Sequence, residues 1–320
     1  MARIFFLTLP LLIFFTDSLG LANPYGFSAT AFKLSLESSY FNTKANYDPN
    51  GNSVNLINGN QVTEMRFNLS GSYDFTDRIG AFANVIFNNE NAVSSGVNRM
   101  NGGFAQGTAG VGALVYTGFV NIVPEASLVV PFSPAPDLTT TNALLGDGAF
   151  VGTGKINLTR SFKYFGLWGY AGYSYLSNGL SSYIPFGFKI HGAWSSFFAD
   201  IGLHGISSLS TDQNGSNYFV RQLITNFVDG GSLIYNATNP SWLDLDFDLG
   251  ARVFRNYQIS AGVEPTLSGQ NAPQGTRFLV TLSYNSWPLH SRNTNDSSSD
   301  TDQGFRVDTD SEDIQTKPAK

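Results

Sequence analysis

The chain is predicted to be all-β, a transmembrane antiparallel up-and-down β-barrel of about twelve strands. Three observations lead there. Residues 242–254 read WLDLDFDLGARVF: Leu243, Leu245, Phe247, Leu249, Ala251 and Val253 share one parity, and Asp244, Asp246, Asp248, Gly250 and Arg252 share the other. The composition is 42% hydrophobic and 14% aromatic but only 13% charged, while mean hydropathy stays at −0.07. Alternating segments recur along the chain, and past residue 22 no apolar run approaches the length of a membrane helix.

A period of two gives a strand with one hydrocarbon face and one polar face. Three carboxylates on one face could not sit unpaired in a dry core, so that face meets water. Such a strand suits a soluble antiparallel sheet or a barrel wall between lipid and water. The low charge selects the barrel, because an average soluble protein carries ~25% charged residues. Alternation spreads the apolar residues, so hydropathy averages to near zero.

The N-terminus predicts export. Arg3 supplies a positive region, Ile4–Phe15 an apolar run, and Gly20-Leu21-Ala22 small residues for cleavage after Ala22. The run is too short for a spanning helix, which needs ~20 residues. The expected division is a signal peptide over 1–22, a barrel over 23–289 and a disordered acidic tail over 290–320. The tail is rich in Asp, Ser and Thr and cannot bury enough surface to fold. The chain has no Cys, which excludes a lipoprotein anchor, a disulfide scaffold and thiolate metal sites. A net charge of −6 and pI near 5.0 argue against nucleic acid as a partner.

The strands follow in order. Phe32, Leu34 and Leu36 alternate with Lys33, Ser35 and Glu37. Phe67, Leu69, Gly71 and Tyr73 alternate with Arg66, Asn68, Ser70 and Ser72. Further candidates are Ile79–Asn88, Gln106–Gly118, Glu125–Phe132, Gly154–Thr159, Phe165–Tyr175, Tyr183–Gly192 and Phe197–Leu209. The Asp-rich strand, a strand around Ile259–Val263 and one through Phe278, Val280, Leu282 and Tyr284 complete the set. Tight turns are expected at Phe75–Arg78, Ser161–Tyr164 and Arg255–Tyr257. Long polar loops are expected at Asn42–Thr63, Asn89–Ala105, Ser133–Ala149 and Ser210–Ser241. Segregated loop lengths are a barrel trait, with long loops outside the cell and turns in the periplasm. Within Ser210–Ser241, the spacing of Tyr218, Phe219, Val220, Leu223, Ile224, Phe227 and Val228 fits a short helix at the mouth or an amphipathic strand pair. Aromatics at strand ends are expected to form girdles: Tyr40-Phe41, Tyr73, Phe75, Tyr164-Phe165, Trp168, Tyr173, Tyr175, Trp242, Phe254, Tyr257, Tyr284 and Trp287.

Chemistry is sparse. Ser177-Asn178-Gly179 matches part of a lipolytic barrel motif, but Tyr175 stands where the base should be, so a turn is expected there. His191, His204 and His290 have no ligand spacing. Asp48-Pro49-Asn50-Gly51-Asn52 lacks the acidic residue that would close a calcium loop and reads as a turn. No cofactor is expected. The candidate pore-lining residues are Asp244, Asp246, Asp248, Arg252, Lys155, Lys189 and Arg277. They either favour cations in the lumen or pair with one another across neighbouring strands.

Short motifs resemble a group of Gram-negative outer-membrane proteins associated with phenol degradation, and more loosely the fatty-acid transporter barrels. They are Phe75-Thr76-Asp77-Arg78, Val123-Pro124-Glu125-Ala126-Ser127-Leu128 ahead of Pro131, Gly146-Asp147-Gly148, and Gly169-Tyr170-Ala171-Gly172-Tyr173. The resemblance implies a pore or hydrophobic-substrate channel and no catalytic residue. Only Asn23–Ala29 precedes the first strand, too short for the N-terminal hatch of the fatty-acid transporters.

The expected function is an outer-membrane channel passing small solutes, hydrophobic or aromatic ones among them, and not an enzyme. Its expected partners are membrane lipid, lipopolysaccharide, small solutes and further copies of itself. Two alternatives stand: a non-conducting structural or attachment barrel, and a soluble exported β-sandwich that binds glycans.

Overall fold

A computed structural model describes residues 29–286 apart from 95, 138, 163, 164, 195, 210, 211, 213, 214, 236 and 255. The expected signal peptide, the acidic tail, His290 and the strand-ending Trp287 lie outside the described residues.

Twelve strands close into one antiparallel barrel: β1 (Phe32–Tyr47), β3 (Gln61–Asp74), β4 (Ile79–Ser94), β5 (Val97–Ala113), β6 (Asn121–Pro131), β7 (Val151–Ser161), β8 (Phe165–Leu176), β9 (Tyr183–Trp194), β10 (Phe197–Ser208), β11 (Ser241–Phe254), β12 (Tyr257–Gln270) and β13 (Ala272–Asn285). A short extra strand, β2 (Ser53–Asn55), pairs with the end of β1. Strands adjacent in the barrel are adjacent in sequence, and β1–β13 pairing closes the seam. Closure leaves no long unpaired edge, so backbone groups are satisfied between strands.

Alternation assigns the two faces. On β1, Ser35, Glu37, Ser39 and Phe41 are buried while Leu34, Leu36 and Tyr40 are exposed. Register brings Leu36 beside Leu69 of β3 and Leu282 of β13, and all three are about half exposed. This is a hydrocarbon outer wall around a polar interior, the inverse of a soluble protein. No described helix is long and apolar enough to cross a membrane.

Both ends of the described chain and five connections lie at one rim of the barrel. Thr76 makes the Phe75–Arg78 turn by accepting from the amides of Arg78 at 3.1 Å and Ile79 at 2.9 Å. Outward aromatics gather at this rim: Tyr284 lies 5.5 Å from Phe32 and 5.1 Å from Tyr257, and Tyr73 lies 5.2 Å from Phe75. The girdle expectation fails for Phe41, Trp168 and Trp242. Register puts them on the inner face, beside Arg277, Lys189 and Ile206 respectively.

The opposite rim carries the long connections after β1, β6 and β10, the six-residue connection after β8, and two very tight ones. The expected long loop over Asn89–Ala105 is wrong: β4 and β5 pair continuously up to Ser94–Val97. Asn88–Asn91 are polar on both faces, so that stretch lost the alternating signature that marks a strand between lipid and lumen. Much of Asn42–Thr63 is strand for the same reason. Ser210–Ser241 does contain a helix, α1 (Gly215–Val228).

Candidate functional site

The interior of the barrel is the candidate site, and two inward-folded connections fill its upper part. Residues 132–150 contribute Ala143, Leu144 and Leu145, all buried. Residues 209–240 contribute Ile224 and Val228 of α1, followed by Tyr235. Leu144, Ile224, Val228 and Tyr235 make one apolar cluster. Ala143 packs on Val62 of β3 and Ala92 of β4, and Leu145 packs on Ile86 and Ala105. Together the two segments form a plug resting against the tall β1–β5 wall.

Polar contacts fix the plug at several points. The Asn101 amide donates to Ala143 O at 2.7 Å, and Asn46 donates to Gly231 O at 2.6 Å while accepting from Leu233 N at 3.0 Å. Asn60 donates to Gly230 O at 2.9 Å. The two segments meet where Leu144 N donates to Asp229 Oδ1 at 3.2 Å.

Under the plug lies a buried ionic cluster. Glu64 has no exposed surface and faces Arg277 at 2.9 Å and Arg66 at 3.2 Å. Arg277 donates also to Ser39 Oγ at 3.1 Å and lies 3.8 Å from Glu264. Tyr235 OH donates to Glu64, and Asn88 donates to Tyr235 OH at 2.7 Å and Leu145 O at 3.1 Å. Glu90, cross-strand from Glu64, is fully buried, and neither of its oxygens has a hydrogen-bond partner among the described residues.

The β9–β12 wall is acidic. Asp244, Asp246 and Asp248 all face inward, as the alternation requires. Lys189 reaches Asp248 at 3.1 Å from β9, two strands away. A side chain at Gly262 would collide with Asp248 Oδ1, so glycine makes room for that carboxylate. His204 contacts Asp246 at 2.8 Å and Asp244 at 3.6 Å, with Trp242 edge-on at 5.3 Å. His191 pairs with Asp200. Farther round, Lys155 meets Glu125 at 2.9 Å and lies over the Tyr170 ring at 5.1 Å, and Gly172 leaves it space. Arg252 sits exposed near the turn rim, outside these clusters.

The sequence therefore named six of the charged residues that these clusters contain. It missed Glu64, Glu90, Arg66, Glu125 and Tyr235. Glu64 and Arg66 share the inward parity of Asn68 and Ser70, and that signal was readable. Tyr235 lies in an aperiodic loop and carried none. Ser177 is in a turn, as expected: its hydroxyl accepts from Phe150 N at 2.9 Å, and Asn178 and Gly179 have positive φ. Asp48 likewise closes a turn, accepting from the amides of Asn50 and Asn52 at 2.8 Å. Among the described residues no cluster of His, Asp or Glu has the geometry of a metal site.

No protein-family model and no curated protein matches the chain. Solved structures do. An outer membrane channel from Pseudomonas putida F1 superposes with a TM-score of 0.60 at 12% identity, over 85% of this chain and 100% of that one. The translocator domain of the autotransporter NalP from Neisseria meningitidis gives 0.46 at 8% identity, over 80% and 89%. The Ralstonia pickettii toluene transporter TbuX gives 0.39 at 11% identity, over 80% and 90%. The first likeness shows the fold: this chain is a closed twelve-stranded antiparallel β-barrel like that outer membrane channel.

Proposed function

We propose that the protein is a gated outer-membrane channel for small solutes. The carrying observation is the interior: a polar bore lined by Asp244, Asp246, Asp248, Lys155, Lys189 and Arg277, closed above by two connections rather than by the barrel wall itself. Asp244 and Asp248 keep part of their surface exposed, so water and small ions can reach this inner wall. The β9–β12 wall sets Asp200, Asp244, Asp246, Asp248 and Glu264 against Lys189 and two histidines, so cations are favoured over anions. Inward Trp168, with Tyr170 tilted beside it at 6.0 Å, puts an aromatic ring on the bore wall that a planar solute can contact. The aromatic-solute channel suggested by the sequence resemblance is consistent with that pair.

The plug also favours a second reading, in which it never leaves and the barrel is structural. Single-channel recording of the purified protein in planar bilayers separates the two. Discrete cation-leaning current supports the channel, and silence under every voltage leaves the structural barrel.

A further inference from the structure

The two halves of the plug touch through Asp229, which is fully buried. Its Oδ1 accepts from Leu144 N at 3.2 Å, and its Oδ2 has no partner among the described residues. The groups facing it are Arg99 from β5, Glu90 from β4 and Asp147 from the other half of the plug. Two of these three are acids, and the Arg99 guanidinium is also engaged over the Phe227 ring at 4.4 Å. An ionised Asp229 would thus be a dry carboxylate with one hydrogen-bond donor and acidic neighbours.

We propose that the plug is a proton-sensitive latch, closed while Asp229 carries its proton and released when that proton passes to water. Release lets the carboxylate hydrate and removes the join between residues 132–150 and 209–240. Burial pushes the Asp229 carboxyl up to about 7, with Asp147 adding to the shift and the Leu144 amide and Arg99 opposing it. The closed plug therefore binds more protons than the open one. Its stabilisation is complete below the ordinary Asp range near ~4 and falls away as pH rises through about 7. Only the gating consequence rests on the channel reading; the latch does not.

The test is hydrogen–deuterium exchange of residues 209–240 in the intact detergent-solubilised protein at pH 5 and pH 8, corrected for intrinsic rates. Opening should rise at least ~10-fold at the higher pH. D229N, still heat-modifiable on gels, should stay protected at both. PH-dependent exchange that persists in D229N overturns the proposal, and so does pH dependence abolished by E90Q but not by D229N. Bilayer current recorded in parallel reports the channel separately. Silence with the exchange pattern intact supports the latch and removes the channel.

Discussion

Tyr235 donates its hydroxyl to Glu64 across 171 residues of chain, and this bond ties the long connection after β10 to the inner wall of β3. Glu64 is held from the other side by Arg66 and Arg277, so Tyr235 completes the shell of a charge with no exposed surface. The loop is thus anchored to a group that is costly to leave unsatisfied.

Tyr235→Phe should therefore loosen the plug without unfolding the barrel. A hydrogen bond to a charged group contributes ~1.5–3 kcal/mol, so the open fraction should rise by about tenfold or more. Open probability in bilayers, or exchange of residues 209–240, measures it. Unchanged values would show that the apolar cluster alone holds the loop.

Arg277→Leu acts on the barrel itself. Arg277 bridges Glu64 and Glu264 and lies over the Phe41 ring at 5.1 Å. Removing one partner of a buried ion pair costs ~3–5 kcal/mol. The midpoint of heat-modified gel mobility should fall sharply, and E64Q on the same background should restore part of it.

The barrel was legible because lipid and water impose opposite demands on alternate residues. Leu34, Leu36, Phe67 and Leu69 alternate with polar residues and so mark strands with one apolar face. The Asp244–Asp246–Asp248 ladder announced its inward direction for the same reason. Legibility ended where that contrast ended. Above the lipid, Asn89 and Glu90 are both polar, so strand looked like loop. Glu64 and Tyr235 meet only in three dimensions, and no local period encodes a contact across so long a stretch. Trp168 and Trp242 misled because an aromatic near a strand end satisfies a lipid boundary and a stacking surface equally well.

The lipid face makes a position-dependent prediction. Leu36 sits between Leu69 and Leu282 on the outer wall, whereas Asn42, on the same face, sits between Thr63 and Thr276. Leu36→Arg should cost ~2–4 kcal/mol and Asn42→Arg ~0–1 kcal/mol. Urea titration of folding into vesicles would show the difference. Equal costs would place the hydrocarbon boundary elsewhere.

At the tip beyond β1, Asp48 is held below the usual carboxylate range, first by the Asn52 side-chain amide and then by the backbone amides of Asn52 and Asn50. The folded turn binds fewer protons than the open one. Its order is present above the ordinary Asp value and is lost as pH falls through the depressed one. Amide exchange at Asn50 and Asn52 should accelerate in acid after correction for intrinsic rates, while added calcium should leave it unchanged.

Lys189 and Asp248 offer a paired test of ion selectivity, because they neutralise one another at 3.1 Å on an otherwise acidic wall. Lys189→Met frees a carboxylate and should raise the preference for cations. Asp248→Asn frees an ammonium and should lower it. One uncompensated charge about 4 Å from a passing ion contributes ~1 kcal/mol in water, a change of about fivefold in permeability ratio. Reversal potentials across a salt gradient give the ratio directly. The decisive feature is the opposite sign: both substitutions break the same bridge and disturb the same packing, so a purely structural effect would move selectivity the same way in each. Movement in opposite directions places the pair on the path of the ion.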